Sequence, residues 1–266
     1  MYDRFDRELN YLRISVTDRC NLRCRYCMPE EGITLLRHDE ILSYDEIRDF
    51  TALAVERGIN KVRLTGGEPL VRKGIVSLVS MLSSIKGITD LSMTTNGVLL
   101  KNFAAELKSA GLQRVNISLD TVDNDRFATI TRNGVLKDVL EGIESAVTAG
   151  LNPVKINCVV RESIKETDAI EVTEFCRRNN LEIRYIRQMD LVNGHFYIVE
   201  GGTGGNCSVC NRLRLTSNGK LKPCLFNEIE FDIRALGYEK ALNLASEHKP
   251  ECGTRNNTGS FYKIGG

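Results

Sequence analysis

Three cysteines, Cys20, Cys24 and Cys27, fall within eight positions in the stretch "DRCNLRCRYCMPEEG". Three thiolates from one loop can hold three corners of an iron–sulfur cubane and leave the fourth iron open. Structural zinc prefers four closed ligands, and no nearby histidine or fourth cysteine completes such a set here. Asn21, Arg23 and Arg25 make the segment too polar for three cysteines packed as small apolar residues. A second group, Cys207 and Cys210, is followed after thirteen intervening residues by Cys224. Cys252 offers a fourth thiol that would make this group a tetrahedral zinc site, and that alternative stays open. Between the cysteines, Arg212 and Arg214 lie two apart in a strand-like run and so share one face. Two guanidinium groups beside an incompletely ligated cluster form an anion site, because the planar fork of arginine matches phosphate oxygens.

The elements that must carry these groups are legible along the chain. From Tyr11 to Arg187, β-rich runs alternate with amphipathic stretches, the pattern of a parallel sheet wrapped by helices. Strands are expected from Tyr11, Lys61, Leu91, Arg114, Pro153 and Leu181. Ser43 with Glu46 three residues on is a capping box, and Gly58, Gly111 and Gly150 each follow an amphipathic run where a helix wants a glycine C-cap. Polar residues recur where the strands end, at Thr17-Asp18, Thr65 to Glu68, Thr94 to Asn96 and Ser118 to Asp120. That recurrence predicts an α/β fold, a partial (β/α)6 TIM-type barrel with its site at the C-terminal ends of the strands. The second cysteine group then lies on a C-terminal extension, an iron–sulfur extension if that group ligates a cluster rather than zinc. After Met189 the sequence becomes glycine-rich and loses its period, so the barrel is expected over 1–189 and the extension with its Gly265-Gly266 tail over 190–266.

Composition limits the partners. The chain has 266 residues, 36 basic against 35 acidic, for a net charge of +1. No broad field would draw in nucleic acid or a membrane, so an anion must be gripped by local arginines. The start carries scattered charges and no apolar h-region, and no run is long enough to span a bilayer, which points to a cytoplasmic protein. Nine cysteines in a reducing compartment are ligands or catalytic groups more often than disulfides. His195, Cys158, Cys176 and Cys252 read as a surface histidine and buried thiols.

The first motif resembles the radical S-adenosylmethionine superfamily, which has C-x3-C-x2-C with an aromatic before the last cysteine, here Cys20, Cys24, Tyr26 and Cys27. "TGGEPL" (65–70) after the second strand matches that family's Gly-Gly-Glu segment. The resemblance implies a [4Fe-4S] cluster whose open iron chelates S-adenosylmethionine, cleaved to a 5′-deoxyadenosyl radical. Tyr26, Gly67, Ser118 and the backbone around Met189 would bind that cofactor, Gly67 by close backbone approach. With the second cysteine group, "TTNG", "VNISLD" and the Gly-Gly end, the chain resembles the MoaA-type GTP 3′,8-cyclase family of molybdenum cofactor biosynthesis. That resemblance implies a second [4Fe-4S] cluster on Cys207, Cys210 and Cys224, whose free iron binds guanine. It also implies formation of 3′,8-cyclo-7,8-dihydro-GTP. Arg13, Arg63, Thr94, Lys155, Arg212 and Arg214 match GTP contacts, the last two also as the catalytic pair, and Arg184 matches a further arginine. GTP as substrate, a flavodoxin or ferredoxin as electron donor, MoaC as downstream enzyme and a homodimer follow from the same resemblance.

The chain departs from that family in length. Only seventeen residues, Asp190 to Asn206, join the last strand to the second cysteine group, where the family has several tens. Arg187 and Gln188 also stand where the family usually has an acidic and an apolar residue. Competing functions are a radical S-adenosylmethionine peptide maturase with an auxiliary cluster and a zinc-bound scaffold.

Overall fold

The protein is described by a computed structural model covering residues 1–257 and 261–264. The expected strands are β1 (Tyr11–Ser15), β2 (Lys61–Thr65), β3 (Asp90–Thr95), β4 (Arg114–Ser118), β5 (Val154–Val160) and β6 (Glu182–Arg187). Three more follow, β7 (Arg212–Leu215), β8 (Lys220–Lys222) and β9 (Phe231–Asp232). Together they form one sheet in the order β6-β5-β4-β3-β2-β1-β7-β8-β9. The six leading strands are parallel, each crossover carrying helix, with α1 (Tyr44–Glu56), α2 (Ile75–Ser83), α3 (Leu100–Ser109), α4 (Asn124–Thr131), α5 (Leu136–Thr148) and α6 (Thr167–Arg178) in turn. This is the open partial barrel that the alternating pattern predicts.

Local signals act as read. Ser43 accepts from the Glu46 amide while the Glu46 carboxylate accepts from the Ser43 amide, closing the capping box at α1. Gly58, Gly111 and Gly150 take φ of 103°, 103° and 76°, a left-handed bend that side chains resist. The strands alternate in the manner of a sheet with two different faces. Leu12 and Ile14, Val62 and Leu64, Leu91 and Met93 turn outward into a core with Ile47, Phe50, Leu78 and Leu107 of the helices. Arg13, Arg63 and Thr94 take the other face, which lines the interior.

The C-terminal third does not hang beside this sheet but extends it. β7 lies parallel to β1 on its free edge, Arg13 opposite Arg214, and β8 and β9 continue antiparallel. Residues 190–206 then close the gap between β6 and β7. Tyr185 and Glu200 exchange backbone hydrogen bonds of 3.1 Å at the β6 end, while Arg212 donates to Thr203 Oγ1 at 2.7 Å at the β7 end. Gly205, at φ 75°, permits this flat path, since a Cβ there would lie 1.8 Å from the Tyr197 carbonyl oxygen. A small second core of Leu191, Leu225, Phe226 and Ile264 seals it, Phe196 stacking on Phe226 with centroids 4.6 Å apart. α7 (Ile233–Leu236), α8 (Tyr238–Glu247) and α9 (Phe261–Ile264) complete the chain, and Gly265-Gly266 lies outside the described residues. Among the described residues, no helix is long and apolar enough to cross a membrane.

Candidate active site

The topology decides how the two cysteine groups face each other. The first loop leaves the C-terminal end of β1, whereas Cys210 precedes β7, which runs parallel to β1. The groups therefore lie at opposite ends of the barrel, separated by a β1 of roughly 17 Å at about 3.3 Å per residue. The site is not confined to the C-terminal ends of the strands. A single cavity of about 350 Å³ runs between the groups, lined by Cys20, Cys24 and Cys27 and by Cys207, Cys210 and Cys224.

The first loop is braced by its neighbours. The Arg23 and Arg25 amides donate to the Thr131 and Ile130 carbonyls at the end of α4. The Arg132 guanidinium, from a residue at φ 66°, holds the Arg23 and Met28 carbonyls at 2.8 and 3.0 Å. From below, buried Glu68 accepts from the Leu70 amide (3.0 Å), Thr95 Oγ1 (2.8 Å) and the Asn96 amide (2.6 Å), joining the ends of β2 and β3. Asn96 in turn donates to Asn21 Oδ1 at 2.8 Å and to Cys20 Sγ at 3.8 Å. Burial pushes Glu68 up to about 7 against those three donors. Gly67 lines the cavity, but its lack of a side chain has a reason within the protein. A Cβ there would stand 2.3 Å from the Arg19 carbonyl oxygen, so glycine lets β2 pack beneath the approach to Cys20.

Tyr26 also faces the cavity, its hydroxyl donating to Asp120 Oδ2 at 2.8 Å, while Asp120 Oδ1 accepts from the Val159 amide at 2.8 Å. Burial raises Asp120 to about 6. Ser118 and Met189 also line the cavity.

Hairpin β7–β8 explains the second group. Arg214 pairs with Lys222, so Cys210 just before β7 and Cys224 just after β8 emerge together. The sequence analysis missed a buried ammonium among them. Lys249 is 1% exposed and donates to the Pro223 carbonyl (2.7 Å), the Arg212 carbonyl (2.8 Å) and Cys210 Sγ (3.5 Å). Burial works against the Cys210 thiolate, but Lys249, the Arg212 amide and two guanidinium groups bring the thiol below its ordinary value. No local signal marked Lys249, which lies 39 residues from Cys210 in a helix-to-loop stretch.

Between the cysteine groups the wall is cationic. Register sets Arg214, Arg13 and Arg63 side by side on three neighbouring strands, with Arg184 and Arg212 also on the lining. Arg63 and Arg212 lie 5.5 and 5.6 Å from the Tyr11 ring centroid. Burial and then Arg214, Arg63 and Arg212 depress Arg13 well below the usual arginine value, and burial with Arg212 brings Arg214 to about 10. No acidic side chain is among the described residues lining the cavity. Crowded guanidinium groups of this kind gain when a polyanion enters. Thr94 lines the cavity with its Oγ1 buried and without a hydrogen-bond partner. Lys155 is placed differently from the other expected substrate residues. It is not on the lining, and its ammonium pairs with Glu182 across β5 and β6. Cys158 and Cys176 are buried and His195 is exposed, whereas Cys252, expected as a buried thiol, is exposed.

The donor sets fit iron–sulfur clusters. Each end presents three thiols to the cavity, and donors already aim at sulfur: the Leu22 amide and Asn96 at Cys20, Lys249 at Cys210. Such hydrogen bonds stabilise thiolates and tune cluster potential. Burial lifts the free Cys24 and Cys27 thiols to about 12, so bound metal must displace their protons.

An open parallel barrel with a three-thiol loop after its first strand and a second thiol group at the far end is the architecture of a radical S-adenosylmethionine protein with an auxiliary cluster. Comparison with known proteins agrees. Residues 14–176 match the model of the radical SAM superfamily, and residues 158–256 match that of Molybdenum Cofactor Synthesis C. The chain is 44% identical to a GTP 3′,8-cyclase of Thermodesulfovibrio yellowstonii, over 89% of this chain and 88% of the relative. It is 42% identical to that of Moorella thermoacetica over the full length of both. The second alignment runs to 324 positions against 266 residues, so that relative carries several tens of residues which this chain lacks. Among solved structures, Streptococcus suis SuiB bound to S-adenosylmethionine superposes with a TM-score of 0.68 at 17% identity, covering 91% of this chain and 64% of that one. HydG, a maturase of the [FeFe]-hydrogenase, superposes at 0.55 with 17% identity over 70% of this chain and 44% of its own. The chain belongs to the GTP 3′,8-cyclase family.

Proposed function

We propose that this protein is a radical S-adenosylmethionine enzyme that converts GTP to 3′,8-cyclo-7,8-dihydro-GTP in molybdopterin biosynthesis. The observation that carries the reading is the shared cavity, with a thiol group at each end and Arg13, Arg63, Arg184, Arg212 and Arg214 between them. A cluster held by the first thiol group would, with S-adenosylmethionine bound, supply the 5′-deoxyadenosyl radical chemistry that hydrogen abstraction from the ribose 3′ carbon requires.

The chain's own residues do the rest. Cys20, Cys24 and Cys27 would hold the first cluster and Cys207, Cys210 and Cys224 the second. Tyr26, fixed by Asp120, and Gly67, Ser118 and Met189 bound the S-adenosylmethionine side. Arg13, Arg63 and Arg214, with Arg184 and Arg212, neutralise the triphosphate and hold the nucleotide between the two ends, and Thr94 Oγ1 offers a hydrogen bond to substrate. Lys155 acts behind this wall by holding Glu182 rather than by touching phosphate. Residues 190–206, bridging β6 and β7, exclude water from the side of the barrel. The barrel and the auxiliary-cluster segment divide the work at Asp190, although they share one sheet.

A flavodoxin- or ferredoxin-type donor as reductant, a MoaC-type enzyme as consumer of the product and a homodimer complete the proposal. Its thiol ligands suit the reducing cytoplasm. The test is anaerobic incubation of reconstituted protein with GTP, dithionite and S-adenosylmethionine, followed by mass analysis. Cyclised nucleotide is expected, and absence of both it and GTP-stimulated 5′-deoxyadenosine overturns the reading. Arg212→Ala should keep S-adenosylmethionine cleavage while GTP turnover falls at least tenfold, and unchanged cyclisation would remove its phosphate role.

A further inference from the structure

Cys252 has no place in the chemistry above, yet its sulfur lies 3.2 Å from Cys207 Sγ across 45 residues of sequence. The approach is built by the fold. The Arg7 guanidinium, buried and paired with Asp3 at 2.7 Å, donates to the Cys207 carbonyl (2.7 Å), the Glu251 carbonyl (2.8 Å) and the Pro250 carbonyl (2.7 Å). One side chain thus clamps both cysteine segments together. Cys207, Cys210 and Cys224 line the cavity, but Cys252 does not, and it is exposed. It stands behind Cys207, on the solvent side of the wall, where a peroxide can reach it. A disulfide needs sulfurs about 2.05 Å apart, so the pair must close by roughly 1 Å, within reach of side-chain torsions.

We propose that Cys207 and Cys252 form a reversible disulfide in the cluster-free protein, withdrawing Cys207 from the second cluster site until the bond is reduced. The oxidant is a peroxide. The Cys252 thiolate attacks one peroxide oxygen, giving a sulfenic acid and releasing water, and the Cys207 thiolate then attacks the Cys252 sulfur and expels the second water. Two thiols lose two protons and two electrons, and hydrogen peroxide takes up both to become two waters. A dithiol reverses the bond by exchange. The inference rests on Cys207 being a ligand of the second cluster.

The test uses full-length apoprotein, reduced, desalted without oxygen, treated with one equivalent of hydrogen peroxide and alkylated with iodoacetamide. With the alkylation done in denaturant, so that buried Cys158 and Cys176 also react, intact mass should show seven of the nine cysteines alkylated, with peptide mapping joining Cys207 to Cys252. Cys252→Ser should give no disulfide and, when reduced, should load iron as the wild type does. Oxidised wild type should take up half the iron of the reduced protein on anaerobic reconstitution, and dithiothreitol should restore the rest. Two free thiols after peroxide, or pairing of Cys207 with Cys210 or Cys224, would overturn the proposal. Half loading of reduced Cys252→Ser would also overturn it, by making Cys252 a ligand. Full loading of reduced Cys207→Ser would refute the ligand reading and the block on loading with it, while the disulfide is judged by mass alone.

Discussion

Replacing Lys249 by Met separates what a buried ammonium does for the fold from what it does for the second cluster. Met matches the length of the lysine stem, so the variant opens no large cavity. The change orphans the Pro223 and Arg212 carbonyls, held at 2.7 and 2.8 Å, at about 1–3 kcal/mol each. It also relieves the cost of burying an unscreened charge, several kcal/mol. Burial lowers the lysine's own pKa, so this second contribution is real. The two oppose each other, so the stability of the cluster-free chain should move by less than either contribution alone. Nothing offsets the lost contact with Cys210 Sγ at 3.5 Å. A charge-assisted hydrogen bond contributes about 1.5–3 kcal/mol, or roughly one to two decades of affinity for the metal that this sulfur ligates. Chelator titration of anaerobically reconstituted protein measures it. Half of the iron in Lys249→Met should transfer at ten- to hundredfold lower chelator concentration, with the first cluster as internal control. Equal chelator midpoints in variant and wild type, or equal loss from both clusters, would refute the reasoning.

Glu68 makes stability depend on pH. Its folded value near 7 exceeds the usual 4.5, so between those values the folded chain keeps a proton that the unfolded chain has released. Stability should therefore fall by about 3 kcal/mol as pH rises from about 4.5 to 7, a limb that Glu68→Gln removes. Urea unfolding across that range checks this, and an unchanged slope in the variant would contradict it. Gly67→Ala puts a methyl group 2.3 Å from the Arg19 carbonyl oxygen and must displace the segment leading to Cys20. It should lose the first cluster alone, seen as half the iron and no 5′-deoxyadenosine.

Much of the site was readable from residue order because its parts are local. A three-thiol loop needs only its spacing, a capping box only Ser43 and Glu46, and a positive φ only a glycine at 58, 111 or 150. The alternation of Leu12, Arg13 and Ile14 marks a strand with an apolar and a polar face before any partner is known. These features belong to the chain itself, and six strands, two cysteine groups and the arginines followed from them.

Where the strands lie against one another is a different matter, since pairing joins residues far apart and no local pattern encodes it. Placement of β7 beside β1 puts the two thiol groups at opposite ends of one cavity and aligns Arg13 with Arg63 and Arg214. The same register ties Lys155 to Glu182, although its position on β5 looked equivalent to those of the substrate arginines. Lys249 and Arg7 acquire their roles only when residues tens to hundreds of positions away arrive beside them, at Cys210 and Cys207. Side-chain chemistry is inherited from order along the backbone, but the partner that gives a buried charge its purpose is chosen by folding.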